Sequence, residues 1–453
     1  MTWYYRTMQE YDVDTFKATF LGNIILPGDE TYDTARKTFT VKDAKPALIA
    51  QAKTNQDVAA AIAFVKHEHL QISVRSGGHS AAGFSTNNGG VVLDLSLMNS
   101  VEVLDEKTGL VRLGSGAHWG DVAVELAKHS LAISSGDTKT VAVGGLTLGG
   151  GIGWMMRKYG YAIDALVGAE VVLADGSIVR ANAHEHSDLF WGLRGAGGNF
   201  GVVTSFDFKA HPQGKIVEST LMYGVDDLQK TITGWRDQLR TAPEELTSFM
   251  TLMPSFGEMP ATAMIMSCYA NDDEASANKT IEPLRHLGTT QSDDTSVKEY
   301  AEVLQEAHPP EGMKFVTKNM FVNTLSDELI AILAEMCCKP GSPIVQLRMM
   351  NGAASRVDPQ ATAIPHRHCE AFFFVGFPFP IDTPEAQVQE GLKRWEKLAP
   401  FSTGAYGNFL STHSDEDVAS IYPEETYQRL AKLKRTYDPE NIFNHNFNIK
   451  PTD

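Results

Sequence analysis

Gly136-Asp137-Thr138-Lys139-Thr140-Val141-Ala142-Val143-Gly144-Gly145-Leu146-Thr147-Leu148-Gly149-Gly150-Gly151-Ile152-Gly153 carries seven glycines in one run, and nothing else in the chain limits its fold so strongly. Glycine loses more backbone freedom on folding than any other residue and weakens the interior of a helix or strand. A run this dense persists where the missing side chains are themselves required, because something flat lies close against the main chain. The run contains neither G-x-x-x-x-G-K-[ST] nor a G-x-G-x-x-G of the required spacing. A P-loop and a simple dinucleotide-binding turn are therefore not expected.

Two further glycine segments flank it. Upstream, Gln71-Ile72-Ser73-Val74 reads as a buried strand and leads into Arg75-Ser76-Gly77-Gly78-His79-Ser80. Adjacent glycines reach positive φ and bring N–H groups close to an anionic ligand, and Arg75 and Ser76 add donors. A neutral imidazole such as that of His79 can attack an electrophilic ring methyl or ligate a metal. The competing reading is a strand-to-helix turn with a surface histidine. Downstream, Asp188-Leu189-Phe190-Trp191-Gly192-Leu193-Arg194-Gly195-Ala196-Gly197-Gly198-Asn199-Phe200-Gly201-Val202-Val203-Thr204 ends in a glycine that opens a β-branched strand.

With these segments in this order, the chain resembles the berberine bridge enzyme-like family of FAD-linked oxidases, which have the FAD-binding domain of the vanillyl-alcohol oxidase and p-cresol methylhydroxylase type. The resemblance returns at the C-terminus in Tyr437-Asp438-Pro439-Glu440-Asn441-Ile442-Phe443-Asn444-His445-Asn446-Phe447-Asn448-Ile449. Asn351-Gly352-Ala353-Ala354 and Ala361-Thr362-Ala363-Ile364-Pro365-His366-Arg367 are weaker landmarks. It implies an α+β fold, with a two-part FAD-binding domain (1–212 and a returning segment 394–453) and an inserted antiparallel-sheet substrate domain (213–393). It also implies FAD as cofactor, bonded covalently from His79 to the 8α methyl of the isoalloxazine. Many plant members add a bond from a cysteine. Thr138 stands at that position, so a single histidyl link and no cysteinyl link is expected. The residues expected around FAD are Arg75, Ser76, Gly77, Gly78, His79 and Ser80, with Gly136, Thr138, Val141, Gly144, Gly145, Thr147, Leu148, Gly151 and Gly153 from the long run. Gly201, Val202, Val203, Asn408 and Asn446 complete the set, Asn446 by an amide at the ring's polar edge.

Composition removes other classes. A net charge of −17 with no basic run argues against a nucleic-acid partner. At 43% hydrophobic the chain has enough apolar content for sizeable cores. Met1-Thr2-Trp3-Tyr4-Tyr5-Arg6 lacks the pattern of a secretory signal, and no window reaches membrane-spanning length without charge, so a cytoplasmic location and no membrane partner are expected. Cys268, Cys337, Cys338 and Cys369 show no metal-ligand spacing and are expected as reduced thiols. His184-Glu185-His186 and His366-Arg367-His368 lack the further ligands that zinc requires, so no metal is expected. Oligomeric state is not encoded in any recognisable way.

Coarse periodicity places helices at Asp57 to His67, Trp119 to Lys128 and Glu424 to Thr436, the last stopped before Asp438-Pro439. Strands are expected at Gly90 to Leu95, Leu110 to Leu113, and Ala169 to Leu173 before an Asp175-Gly176 turn. Phe372 to Phe377 reads as a strand whose aromatic residues either line a pocket or fill ordinary sheet core.

Oxidation at a flavin needs a C–H bond aimed at the ring and commonly a base for the hydroxyl proton. In alcohol- and sugar-oxidising members of the family, a tyrosine ending Tyr-x-Asn-Tyr resembles that base. Here the segment is Tyr406-Gly407-Asn408-Phe409, and the hydroxyl is missing. Tyr406, Asn408 and Tyr427 stand as catalytic candidates, although buried tyrosines are more often packing residues. The favoured reading is an oxidase that takes hydride from an alcohol, sugar or secondary-metabolite carbon, with molecular oxygen giving hydrogen peroxide. Two alternatives are a dehydrogenase or redox-neutral enzyme with another acceptor, and an FAD-carrying binding protein without turnover.

Overall fold

The computed structural model describes residues 12–40, 43–256, 258–306 and 312–452; Met1 to Arg6, read above against a secretory signal, lie outside them. No helix among the described residues is long and apolar enough to cross a membrane. Among the described residues the N-terminal half holds two main sheets, beside a short antiparallel pairing of Leu131–Ala132 with His211–Pro212. The first has the order Asn23–Ile25, Leu48–Gln51, Val91–Asp94, Ile72–Arg75, parallel except at its first pair. The helix Asn55–Glu68 makes one crossover and covers this sheet through Val58, Ala61, Ile62 and Val65. It starts where Thr54 and Asp57 form a reciprocal capping box, and the buried Asp57 carboxylate also takes the N–H of Leu21. The second sheet is antiparallel, in the order Val101–Asp105, Leu110–Gly114, Val202–Lys209, Leu166–Val172, Ile178–Asn182.

After His211–Pro212 the chain enters a seven-stranded antiparallel sheet, ordered Thr290–Lys298, Ile216–Tyr223, Thr262–Tyr269, Leu246–Met253, Ile344–Met349, Ala371–Pro380, Met313–Val322. The two-residue alternation of strands divides its faces. Val345, Leu347, Met349, Phe373, Val375 and Phe377 join helices Leu228–Thr241 and Asp327–Met336 in an outer core. Phe249, Phe321 and Phe372 turn the other way and share a core with the N-terminal half. The result is the anticipated α+β arrangement.

Arg157 fastens the halves together. Its guanidinium donates to the carbonyls of Asn351 (3.2 Å), Leu239 (3.3 Å), Ala242 (3.0 Å) and Leu246, capping the C-terminal end of the helix Leu228–Thr241. Burial pushes its pKa down to about 10, so it stays charged at neutral pH. The C-terminal segment then returns through Thr403 and Gly404, which bond Phe321, and through helix Glu424–Tyr437.

Candidate active site

A cleft of about 1600 Å³ lies between the seven-stranded sheet and the N-terminal half. The three glycine segments form much of its wall, and the C-terminal residues His445, Asn446 and Phe447 complete it. Ser76, Gly77, Gly78, His79 and Ser80 lie along it, as do Gly136, Thr138, Val141, Gly145 and Leu148. Gly201, Val202, Val203, Asn408 and Asn446 lie there too. The turn before His79 needs glycine twice. Gly78 has φ +73°, and a Cβ on Gly77 would meet the backbone nitrogen of Ala142 at 2.7 Å. At Gly145, Gly197 and Gly198 an added Cβ meets nothing within 4 Å, so bare backbone faces open cleft. The His79 ring stacks on Phe39 with centroids 4.6 Å apart.

Other expected cofactor residues sit behind the wall. Arg75 is buried in a pair with Asp94 (2.8 Å), leaving its second terminal nitrogen without a partner. Gly144 makes room for the hydroxyls of Ser76 and Ser115, Gly151 for Ala162 and Leu146, and Gly153 for the carbonyl of Ser135. Thr147 is fully buried within helix Val143–Gly149. These positions let the run fold back on its own protein rather than present a ligand surface. Tyr427 is corrected more sharply. It is absent from the cleft wall, packs on the main core, and accepts the N–H of Lys450 (3.3 Å).

Tyr406 and Asn408 do meet at the cleft. The buried Tyr406 hydroxyl accepts the N–H of Gly151 (2.9 Å) and the amide of Asn408 (2.9 Å), and Asn408 also donates to the carbonyl of Leu146 (3.2 Å). Burial raises the phenol's pKa against the pull of these donors, so it is protonated at neutral pH. The Phe409 ring stands edge-on to Tyr406 (5.4 Å) and to Phe374 (5.5 Å). Of the aromatic strand, Phe374 reaches the cleft and Phe373 and Phe377 are core, so each sequence reading holds for one face.

The sequence reading missed a buried ion pair at this place. Arg348, from the strand Ile344–Met349, binds the carboxylate of Asp137 at 2.5 Å, and Asp137 lines the cleft. The guanidinium lies 4.2 Å from the Phe249 centroid and 5.2 Å from that of Phe409. A lone arginine in Ile344-Val345-Gln346-Leu347-Arg348-Met349 was the available signal, because burial without a partner is too costly. His366 was read only within a weaker family landmark and as one of a histidine pair too small for a metal site. It stacks on Phe321 (5.2 Å) at the cleft, and burial lowers its pKa. Among the described residues no group of three or more potential ligands could hold a metal. The four cysteines are free thiols, with Cys268, Cys337 and Cys369 buried.

The residues present fit FAD. The cleft has the volume for a dinucleotide, its backbone is bare at Gly145, Gly197 and Gly198, and Asn446 keeps an unpartnered buried acceptor. The Asn446 amide nitrogen is spent on the carbonyls of Gly198 (3.2 Å) and Phe443 (3.0 Å), so Oδ1 rather than the N–H remains for a ligand.

Comparison with known proteins agrees. A family model described as an FAD binding domain matches residues 46–182, and one described as berberine and berberine like matches residues 405–450. The (R)-6-hydroxynicotine oxidase of Paenarthrobacter nicotinovorans is 31% identical, over 95% of this chain and 97% of its own. A crystal structure of 6-hydroxy-D-nicotine oxidase from Arthrobacter nicotinovorans has a TM-score of 0.86 at 30% identity, covering 96% of this chain and 98% of that one. Glucooligosaccharide oxidase from Acremonium strictum, studied for its 6-S-cysteinyl, 8α-N1-histidyl FAD, has a TM-score of 0.82 at 23% identity over 96% of this chain and 99% of its own. At that identity the likeness concerns the fold alone.

Proposed function

Because the chain belongs to the berberine bridge enzyme-like family of FAD-linked oxidases, we propose that it carries FAD on one covalent bond from His79 to the 8α carbon and oxidises a small alcohol, sugar or secondary metabolite. The observation that carries this reading is that His79 and Thr138 both line the cleft. The first position puts an imidazole at the cleft, and the second offers a hydroxyl that forms no thioether.

When bound, FAD supplies a two-electron acceptor for a substrate C–H bond, and oxygen regenerates it with release of hydrogen peroxide. Gly145, Gly197 and Gly198 would supply the bare backbone against which it rests, and Asn446 Oδ1 would offer an acceptor to a ring N–H. Phe374 and Phe409, edge to face at 5.5 Å, put apolar rings on the cleft wall, where they would limit the access of water to a bound ring. Tyr406, clamped by Gly151 and Asn408, fixes the floor beneath them.

Denaturation of the purified protein tests the attachment. Yellow colour is expected to precipitate with the chain and with intact-mass addition of one FAD, and the His79→Ala chain is expected to release its pigment to the supernatant. Pigment still bonded to the His79→Ala chain would overturn the assignment. Peroxide production during turnover distinguishes an oxidase from an enzyme using another acceptor.

A further inference from the structure

We infer that Asp137, held by Arg348, is the residue of this cleft that recognises the substrate's proton-donating head, a hydroxyl or an ammonium, and so fixes its charge class. The inference rests on the oxidase reading above.

With phenylalanine at 409, the slot beside Phe374 lacks a phenol, and the Tyr406 hydroxyl is already clamped from both sides. What the cleft offers instead is a carboxylate. Asp137 has one oxygen on Arg348 (2.5 Å) and the other on the Thr138 hydroxyl (3.2 Å). Two carboxylate oxygens provide about four acceptor sites, so each keeps room for another donor. The side chain is 27% exposed, whereas that of Arg348 is 3% exposed.

Arg348 itself is occupied. Its N–H groups go to Gln346 Oε1 (2.9 and 2.6 Å), to Asp137, and to the Ile152 carbonyl (3.4 Å), and Phe249 and Phe409 cover its faces. Four of its five N–H groups are thus spent, and the 3% exposed guanidinium sets the carboxylate in place from behind the cleft wall. Among the described residues the cleft wall has two other carboxylates, both nearer solvent. Glu306 faces Lys139 at 3.3 Å with both side chains nearly half exposed, and Glu385 opens the helix Glu385–Leu392 and accepts from Gln389 (2.6 Å). Asp137 alone of the three combines a mostly buried side chain with a buried arginine that holds it, and that arginine lies 5.2 Å from the Phe409 ring on the same cleft. Such a site takes a ring-sized apolar body bearing a donor head and disfavours a carboxylate-bearing one.

The test titrates the purified flavin-loaded protein with benzylammonium and with benzoate, ions of similar shape and opposite charge, read by perturbation of the flavin absorbance and by melting temperature. The natural chain is expected to prefer benzylammonium by roughly tenfold or more, since a carboxylate held in place on the cleft wall attracts one ion and repels the other. Asp137→Asn is expected to bring the two affinities together, and Asp137→Glu to keep the preference. Should Asp137→Asn fail to fold because Arg348 is left buried and unpaired, Asp137→Asn/Arg348→Gln removes both charges and is expected to abolish the preference equally. No preference in the natural chain, or one that survives loss of the carboxylate, overturns the inference. Failure of flavin attachment is read separately, from colour released on denaturation.

Discussion

Gly153 and Gly145 belong to one run and have opposite roles. A Cβ on Gly153 would fall onto the carbonyl of Ser135, with the Gly136 carbonyl 2.9 Å away, and neither backbone oxygen can swing aside. Gly153→Ala is expected to cost about 3 kcal/mol, the range of an overpacked core, seen as a lowered melting temperature. Gly145→Ala adds a methyl into open cleft from within helix Val143–Gly149. Helix propensity gains up to about 1 kcal/mol there, so the flavin-free chain should melt no lower, while flavin content per chain falls. His366 yields a prediction of another kind. Burial lowers its pKa from 6.5, so below that pH the unfolded chain binds a proton that the folded chain refuses. Its contribution to stability is therefore present above 6.5 and is lost as pH falls, by up to about 1.4 kcal/mol per pH unit. Melting temperatures across that range should drop with acid, and His366→Gln should make the acid limb shallower; an unchanged limb would assign it to His211 and His445, whose pKa values burial also lowers.

Among the elements, helix Glu424–Tyr437 is the one that fixes the closing motif. Lys434 and Asp438, both fully buried, pair at 2.8 Å. The ammonium also donates to the carbonyls of Asn199 (2.7 Å) and Phe443 (2.8 Å), and the carboxylate accepts the N–H groups of Ile442 (2.8 Å) and Phe443 (2.9 Å). Breaking such a pair on one side leaves an uncompensated charge, so Lys434→Met is expected to cost about 3–5 kcal/mol. Hydrogen exchange should quicken across 442–449 and in the turn at Asn199, both of which it ties together. Elements of this kind were legible where local chemistry announces them. Cap chemistry and apolar spacing put the start of one helix at Asp57, two residues late because the Thr54 and Asp57 box caps it from Asn55, and Pro439 marks the end of the last. Leu166–Val172 was read three residues short at its start, although Leu166, Val167 and Gly168 alternate buried, exposed, buried, because a glycine inside a strand weakens the strand signal. The order of the seven-stranded sheet was not legible at all. Its pairings, such as Phe249 with Arg348, join residues far apart in sequence, and no local pattern encodes a partner. For the same reason the glycine turn and His79 could be read from sequence, whereas Asp137 meeting Arg348 from the opposite half could not.

At the scale of the whole molecule, the cleft exists only when three parts of the chain are assembled: the glycine segments, the seven-stranded sheet held on by Arg157, and the C-terminal return. A ligand that fills it binds the folded chain and not the unfolded one, so its free energy adds to stability by mass action. How that addition behaves depends on the bond proposed at His79. With the flavin attached to the natural chain as proposed, added FAD has no vacant site to fill and should leave the melting temperature unchanged. In His79→Ala the same cleft binds FAD reversibly, and free FAD at about a hundredfold excess over its dissociation constant should stabilise by about 2.7 kcal/mol. In a chain of this size that corresponds to a rise of a few degrees, growing with the logarithm of the FAD concentration. If the natural chain responded to added FAD as the variant does, the cofactor would be held by the cleft alone. If neither responded, the cleft would not be the cofactor's site.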